Sequence, residues 1–288
     1  MRLGVVDMLP KDFRTCTPAQ IQAITALGFT GFGCHLDSAL AFEITATDCA
    51  AFKALYAAAG LELAQFSLAY TECLFSADLS VREQVAKKIA RGIALTAQLG
   101  AQALLIRPGS LNPAGPWTPD RENHYPESLE RLIDTLRPLA AQADSEGVVL
   151  VMETHATSIM DSPELCRTVV EAVGAPSLRL TMDVVNHFQT LRQVYDSAAR
   201  VDHIFNTIGD IAPVAHIKDI IVQPKHVLHL DEAVPGEGVL DIGRLLCRFQ
   251  ALYPHGYGLI EHLPIDKVPL ANTNVRRIAA EYEVPIVV

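Results

Sequence analysis

Residues 148–155 read VVLVMETH. Five apolar side chains in a row, three of them valines, describe a buried strand. The run then ends on Glu153, Thr154 and His155. Burying an unpaired carboxylate costs several kcal/mol or forces it to take up a proton, so such an ending needs a reason.

The ending recurs. Apolar, β-prone runs alternate with helical stretches along the whole chain: LGVVD (3–7), TGFGCHL (30–36), LELAQFS (61–67), ALLIRPG (103–109), VVLVMET (148–154), LRLTMD (178–183), VAHIKD (214–219) and YGLIEHL (257–263). Each is followed by a segment of helical period, from TPAQIQAITALG (17–28) to VPLANTNVRRIAAEYE (268–283). Several of those segments open on Thr, Ser or Asp, often before Pro, and several close on Gly. Side-chain oxygens there meet orphan N–H groups, and Gly accepts the left-handed cap. Eight strand–helix units predict a closed (β/α)₈ TIM barrel, one α/β domain over residues 1–288. The competing open, doubly wound sheet announces itself with a Gly-rich phosphate loop after the first strand, and GVVDMLPKD has none. The two least regular tracts, 109–124 and 220–240, both follow strands and are expected as walls or lids over the catalytic rim.

Composition narrows the function classes. Of 288 residues, half are apolar, enough for one large core, and the net charge of −10 weighs against a phosphate-backbone partner. No apolar run approaches a bilayer span, and MRLGVVDMLPKD reads as a first strand rather than a signal peptide. The six cysteines are scattered without a CxxC pair, which fits a reducing, cytoplasmic setting.

In a barrel, the C-terminal strand ends converge on the axis. Glu153, Asp183, His216 and Glu261 close the last four expected strands and so would meet, although they are far apart in sequence. Three carboxylates and an imidazole repel each other or strand their lone pairs unless a cation joins them. The mixed oxygen and nitrogen set suits one divalent ion: Mn²⁺, Mg²⁺, Co²⁺ or Zn²⁺.

METH (152–155), LTMDVVNH (180–187), HIKD (216–219), PGEG (235–238) and LIEH (259–262), in this order, resemble the xylose-isomerase-like TIM barrels, which include ketose 3-epimerases, hydroxypyruvate isomerase, inosose dehydratase and endonuclease IV. The resemblance covers roughly residues 1–265. It implies one divalent metal on Glu153, Asp183, His216 and Glu261, with Glu153 and Glu261 doubling as acid and base on a small carbohydrate. It also implies a substrate-binding residue near Asn186 and His187: the family position is three past the Asp, where this chain has Asn186. Barrels of this kind often pair, so a homodimer is a further expectation.

The chemistry has its own logic. A C–H beside a ketone is a very weak acid, and a metal gripping the carbonyl and a neighbouring hydroxyl stabilises the developing enediolate by several kcal/mol. One carboxylate takes the proton; return from the opposite face epimerises, and return to the adjacent carbon isomerises. Around this centre, His155 is a candidate for a substrate hydroxyl and Lys218 for substrate or metal-shell contacts. Glu237 is a candidate for the mouth, with a turn-stabilising role as its alternative. Arg107 is expected either to bind a carboxylate or phosphate bidentately or to serve as counter-ion to the acidic cluster. Trp117, Phe66 and Phe188 are candidates to shape the pocket.

Three other readings compete. A three-zinc endonuclease needs further histidines where the third strand offers Gln65, Phe66 and Ser67 and the fourth Arg107; HLD at 229–231 also reverses that family's order. A dehydratase would expel a β-hydroxyl from the same enediolate. A non-catalytic sugar-binding barrel would have no need of both Glu153 and Glu261.

Overall fold

The computed structural model describes residues 1–287. Ten strands occur among them: β1 (Arg2–Val5), β2 (Gly31–Asp37), β3 (Glu62–Ala69), β4 (Leu104–Ile106), β5 (Leu150–Met152), β6 (Leu178–Met182), β7 (Val214–Ile217), β8 (Asp219–Val222), β9 (Leu230–Ala233) and β10 (Tyr257–Ile260). Eight of these pair in parallel and close into one barrel, β10 joining β1, while β8 and β9 form an antiparallel ribbon outside it. The helices are α1 (Pro18–Ala26), α2 (Ala46–Ala57), α3 (Leu79–Leu99), α4 (Pro126–Glu146), α5 (Pro163–Val173), α6 (Leu191–Tyr195), α7 (Ser197–Ile208), α8 (Ile242–Leu252) and α9 (Val268–Glu281). Among the described residues, no helix is long and apolar enough to cross a membrane.

The helix boundaries follow local chemistry. Thr17 with Gln20, and Thr45 with Asp48, form reciprocal capping boxes at α1 and α2. Asp78 and Ser162 cap α3 and α5. Gly100, Gly147 and Gly174 end α3, α4 and α5 in the left-handed region, which costs glycine nothing.

Strand parity explains the opening run. Leu150 and Met152 face outward and join the large core between sheet and helices. Val149 and Val151 face the barrel axis, where they pack with Leu105, Val214, Leu259 and Tyr257. Each fully buried side chain of this size is worth roughly 1.5–3 kcal/mol, so both faces favour a greasy strand. Tyr257 fills the barrel floor, which forces Gly31 opposite it to carry no side chain: a β-carbon there would enter the ring. Continued upward, the inward parity of β5, β6, β7 and β10 leads to Glu153, Asp183, His216 and Glu261.

The ribbon departs from expectation. The seventh strand was expected to run through Asp219, but it ends at Ile217; Lys218 breaks it and the chain leaves the barrel as β8. The tract 220–240 is therefore partly regular. Ile220, Ile221 and Val222 are β-branched and pair with Glu232, Asp231 and Leu230. The 109–124 tract lacks strands and is pinned by the buried Asn123, whose amide donates to Ser110 Oγ at 3.0 Å and accepts from the Leu111 N–H at 2.9 Å.

Candidate metal centre

Glu153, Asp183, His216 and Glu261 are all buried, and one ligating atom from each lies within 4.8 Å of the others. His216 is fully buried. Its Nδ1 is 2.8 Å from Glu261 Oε1, 3.5 Å from Asp183 Oδ2 and 3.7 Å from Glu153 Oε1. Its Nε2 donates to the side-chain oxygen of Gln65 at 2.9 Å. An amide oxygen only accepts, so the ring proton of the neutral imidazole sits on Nε2 and the Nδ1 lone pair faces the carboxylates.

Asp183 Oδ1, His216 Nδ1 and Glu261 Oε1 are buried without a hydrogen bond of good geometry. Atoms without a well-aligned hydrogen bond on three of the four residues are what a bound cation would satisfy. The donor set of three carboxylates and one imidazole fits a divalent ion by chemistry as well.

A resident charge stands beside them. Lys218 Nζ lies 2.7 Å from Asp183 Oδ2 and 2.8 Å from Glu261 Oε1, and its side chain is buried. Asn186 also donates to Asp183 Oδ2, at 2.9 Å, which leaves Oδ1 as that carboxylate's open atom. With the imidazole neutral, three carboxylates and one ammonium leave two negative charges, and a dication balances them. In the metal-free protein, protons do the balancing. Burial opposes charge on His216, but Glu261, Asp183 and Glu153 outweigh it and push the imidazole up to about 10. Burial, with Glu261 close by, raises the Glu153 carboxyl, whereas His216 and Lys218 overcome burial to hold Glu261 well below the usual carboxylate range.

The remaining expected residues fall in different places. A short 3₁₀ turn, Val184–His187, follows β6. In that geometry residues three apart eclipse, so Asn186 stands over Asp183 while His187 turns away. His187 is fully buried, its Nε2 3.2 Å from Thr154 Oγ1. His155 is half-buried, with Nδ1 engaged by the N–H and hydroxyl of Thr157 and its ring 5.6 Å from that of Trp117. Arg107 stands beside Tyr70 and Trp117 and pairs with no acid of the cluster. Glu237 does not reach the cluster; it is exposed on a turn. The turn's use is different: the N–H groups of Gly236 and Gly238 donate to Asp219 Oδ2, both at 2.9 Å, and those of Ile220 and Leu240 to Oδ1. HIKD and PGEG are thus one structural unit, in which Asp219 anchors the returning loop.

Sequence reasoning missed four contributors. Gln65, Glu232, His35 and Asp7 were given no part. Glu232 on β9 lies 3.5 Å from Lys218 Nζ and 3.2 Å from His262 Nδ1, so the unexpected ribbon delivers a carboxylate to the rim. His35 at the end of β2 contacts the Ser67 hydroxyl through Nδ1 and lies 3.6 Å from Asp7 Oδ1 through Nε2. Asp7 and His35 had strand-end position as an advance signal; Gln65 and Glu232 had none.

The family model described as xylose isomerase-like TIM barrel matches residues 21–281. The chain belongs to that family. Comparison with curated proteins gives no sequence match. Among solved structures, 3-keto-D-glucoside 4-epimerase from E. coli superposes with a TM-score of 0.71 at 16% identity, covering 97% of this chain and 99% of its own. A xylose isomerase-like TIM barrel protein from Mycobacterium smegmatis, in complex with magnesium, gives 0.72 at 15% identity, covering 98% and 96%. The probable 3-DHS dehydratase of petrobactin synthesis from Bacillus anthracis gives 0.67 at 14%, covering 97% and 99%. At these identities the likeness is one of fold.

Proposed function

We propose that this xylose isomerase-like barrel is a divalent-metal-dependent isomerase or epimerase of a small ketose or hydroxy-ketone, working by proton transfer through an enediolate. The observation that carries the reading is the convergence of four ligating atoms within 4.8 Å at the barrel mouth, three of the residues having an atom without a well-aligned hydrogen bond. Glu153, Asp183, His216 and Glu261 would hold the ion, which when bound supplies Lewis acidity toward a substrate carbonyl. The magnesium complex among the structural neighbours supports a hard dication.

The rest of the work falls to side chains. Glu153 and Glu261 come from β5 and β10, on opposite sides of His216 around the barrel, which suits one to take a proton and the other to return it. Without metal, burial raises the Glu153 carboxyl while His216 and Lys218 hold Glu261 low, so the two acids differ in their affinity for a proton. Lys218 keeps Asp183 and Glu261 charged. Asn186 fixes the Asp183 carboxylate in orientation.

Incubation of the metal-loaded protein with ketoses in D₂O tests the proposal. Deuterium should enter the carbon next to the ketone, metal content should be about one ion per chain, and chelation should stop the exchange. Absence of exchange across ketoses and hydroxy-ketones would refute it.

A second reading, dehydration of a keto-sugar or keto-inositol, is favoured by the Asp7–His35–Ser67 series, since a departing hydroxide needs a proton and a supported imidazole can give one. Release of water with an ultraviolet-absorbing enone would mark it.

A further inference from the structure

β4 ends on a cation without an acid. Ile106 pairs with Met152 in register, so Arg107 and Glu153 are next-door positions on adjacent strands, nominally about 4.8 Å apart at the backbone. An ion pair is the expected outcome for opposite charges so placed, and it is not made. The guanidinium stands instead 5.3 Å from the ring centre of Tyr70 and 5.6 Å from that of Trp117. Its Nη2 leans on the carbonyls of Leu68 and Tyr70 at 3.3 and 3.4 Å; among the described residues, Nε and Nη1 donate to nothing. Aromatic faces hold the plane and leave its forked edge available.

His155 supplies a second donor against the same indole. The Thr157 N–H can only donate, so Nδ1 of the neutral imidazole accepts at 3.2 Å and the ring proton stands on Nε2, which has no partner among the described residues. Trp117 therefore has two donor side chains beside it: the Arg107 guanidinium carbon lies 5.6 Å from its ring centre, and the His155 ring centre is also 5.6 Å away. Half-buried donors left unspent in this way call for an acceptor from outside the chain.

We infer that Arg107 and His155 form an oxyanion subsite beside the tetrad, and that the substrate carries a carboxylate or phosphate which this subsite takes. The ketone of that substrate rests on the proton-transfer reading above; the anionic group rests on Arg107 and His155 themselves. Arg107 takes two oxygens of the group through its fork, and His155 donates to a third acceptor or shares one of these.

Calorimetric titration of the purified protein with three probes tests this: D-fructose, 5-keto-D-gluconate and D-fructose 6-phosphate. At least one anionic probe should bind tenfold or more tightly than fructose at low salt. Tighter binding of the keto acid assigns a carboxylate, and tighter binding of the ester assigns a phosphate. Arg107→Gln should shrink the preference below threefold, and Arg107→Lys, which keeps the charge without the fork, should leave an intermediate preference and guards against a folding defect in the first variant. Fructose binding as tightly as both anions, or a preference that survives Arg107→Gln, overturns the inference. The two proposals fail separately. Deuterium exchange into fructose without any anion preference sinks the subsite alone, whereas anion preference without exchange into any probe leaves the subsite standing and sinks the proton-transfer reading.

Discussion

Gln65 Oε1 accepts a hydrogen bond from His216 Nε2 at 2.9 Å, joining β3 to β7 across the barrel and fixing which nitrogen of the imidazole faces the acids. A neutral partner suits the task. It sets the tautomer without adding a fourth negative charge to a centre that already holds three carboxylates. Gln65→Leu should keep the fold, because leucine is of similar size at this buried position, and should weaken divalent-metal affinity about 10–100-fold, the usual cost of losing such support. Competition with a metal-sensitive dye measures it; unchanged affinity would show that the bond does not orient the ligand.

Lys218 offers a sharper prediction because it neutralises Asp183 and Glu261 within the metal-free core. Lys218→Met leaves both carboxylates buried with less compensation. Breaking a buried ion pair by removing one partner costs about 3–5 kcal/mol. The variant should therefore melt well below the parent without metal, and added Mn²⁺ or Mg²⁺ should recover more stability in the variant than in the parent. Equal stabilisation of both proteins by metal would show that ammonium and ion do not share the same carboxylates.

The two glutamates should separate by role. Glu153→Gln and Glu261→Gln are isosteric, and each removes one proton-carrying group; loss of a positioned acid or base slows a reaction about 10²–10⁴-fold. Net turnover should fall by that order in both. Exchange of solvent deuterium into substrate should persist in whichever variant retains the group that first removes the proton. Mass spectrometry of recovered substrate and product resolves the two cases, and variants that both retain near-parental turnover would contradict the assignment.

Gly238 tests the loop that closes behind the site. A β-carbon there would run into the Asp219 carboxylate and the Ile220 carbonyl. Gly238→Ala should lower stability by about 1–3 kcal/mol, the range for overpacking, read from denaturant unfolding. A neutral result would mean that the four-amide cradle around Asp219 yields easily.

How much of this was legible follows from what each residue signals. Val149, Val151 and Glu153 share a face because strand periodicity is two, so an acid at the end of an apolar run marks an inward position without any tertiary knowledge. The same reasoning reached Asp183, His216 and Glu261. Gln65 was opaque because an amide inside a strand is uncharged and has no periodic signature; only closure of the barrel brings it to His216. The choice between Asn186 and His187 was also closed to sequence, since a single 3₁₀ turn changes the angular step between neighbours just after β6. Glu232 required knowing that β8 leaves the barrel, and Lys218, where the break occurs, reads equally well as strand.

His187 gives a pH prediction from outside the set of candidate metal ligands. Its ring is fully buried against Thr154, Nδ1 has no partner, and burial pushes the imidazole down to about 4 from an ordinary 6.5. The folded protein therefore holds this ring neutral, while the unfolded chain protonates it between those two values. Where the unfolded state binds more protons, stability falls as pH falls. The contribution is complete above about pH 6.5, declines by up to about 1.4 kcal/mol per pH unit below it, and levels off near pH 4 after a total of about 3 kcal/mol. Other buried groups titrate across the same range, so the informative quantity is a difference. His187→Leu should cost stability at pH 7.5 through lost fit, and its deficit relative to the parent should shrink as the pH is lowered to 4.5. Urea unfolding of both proteins at several pH values measures the two slopes; parallel curves would show that His187 does not change its proton affinity on folding.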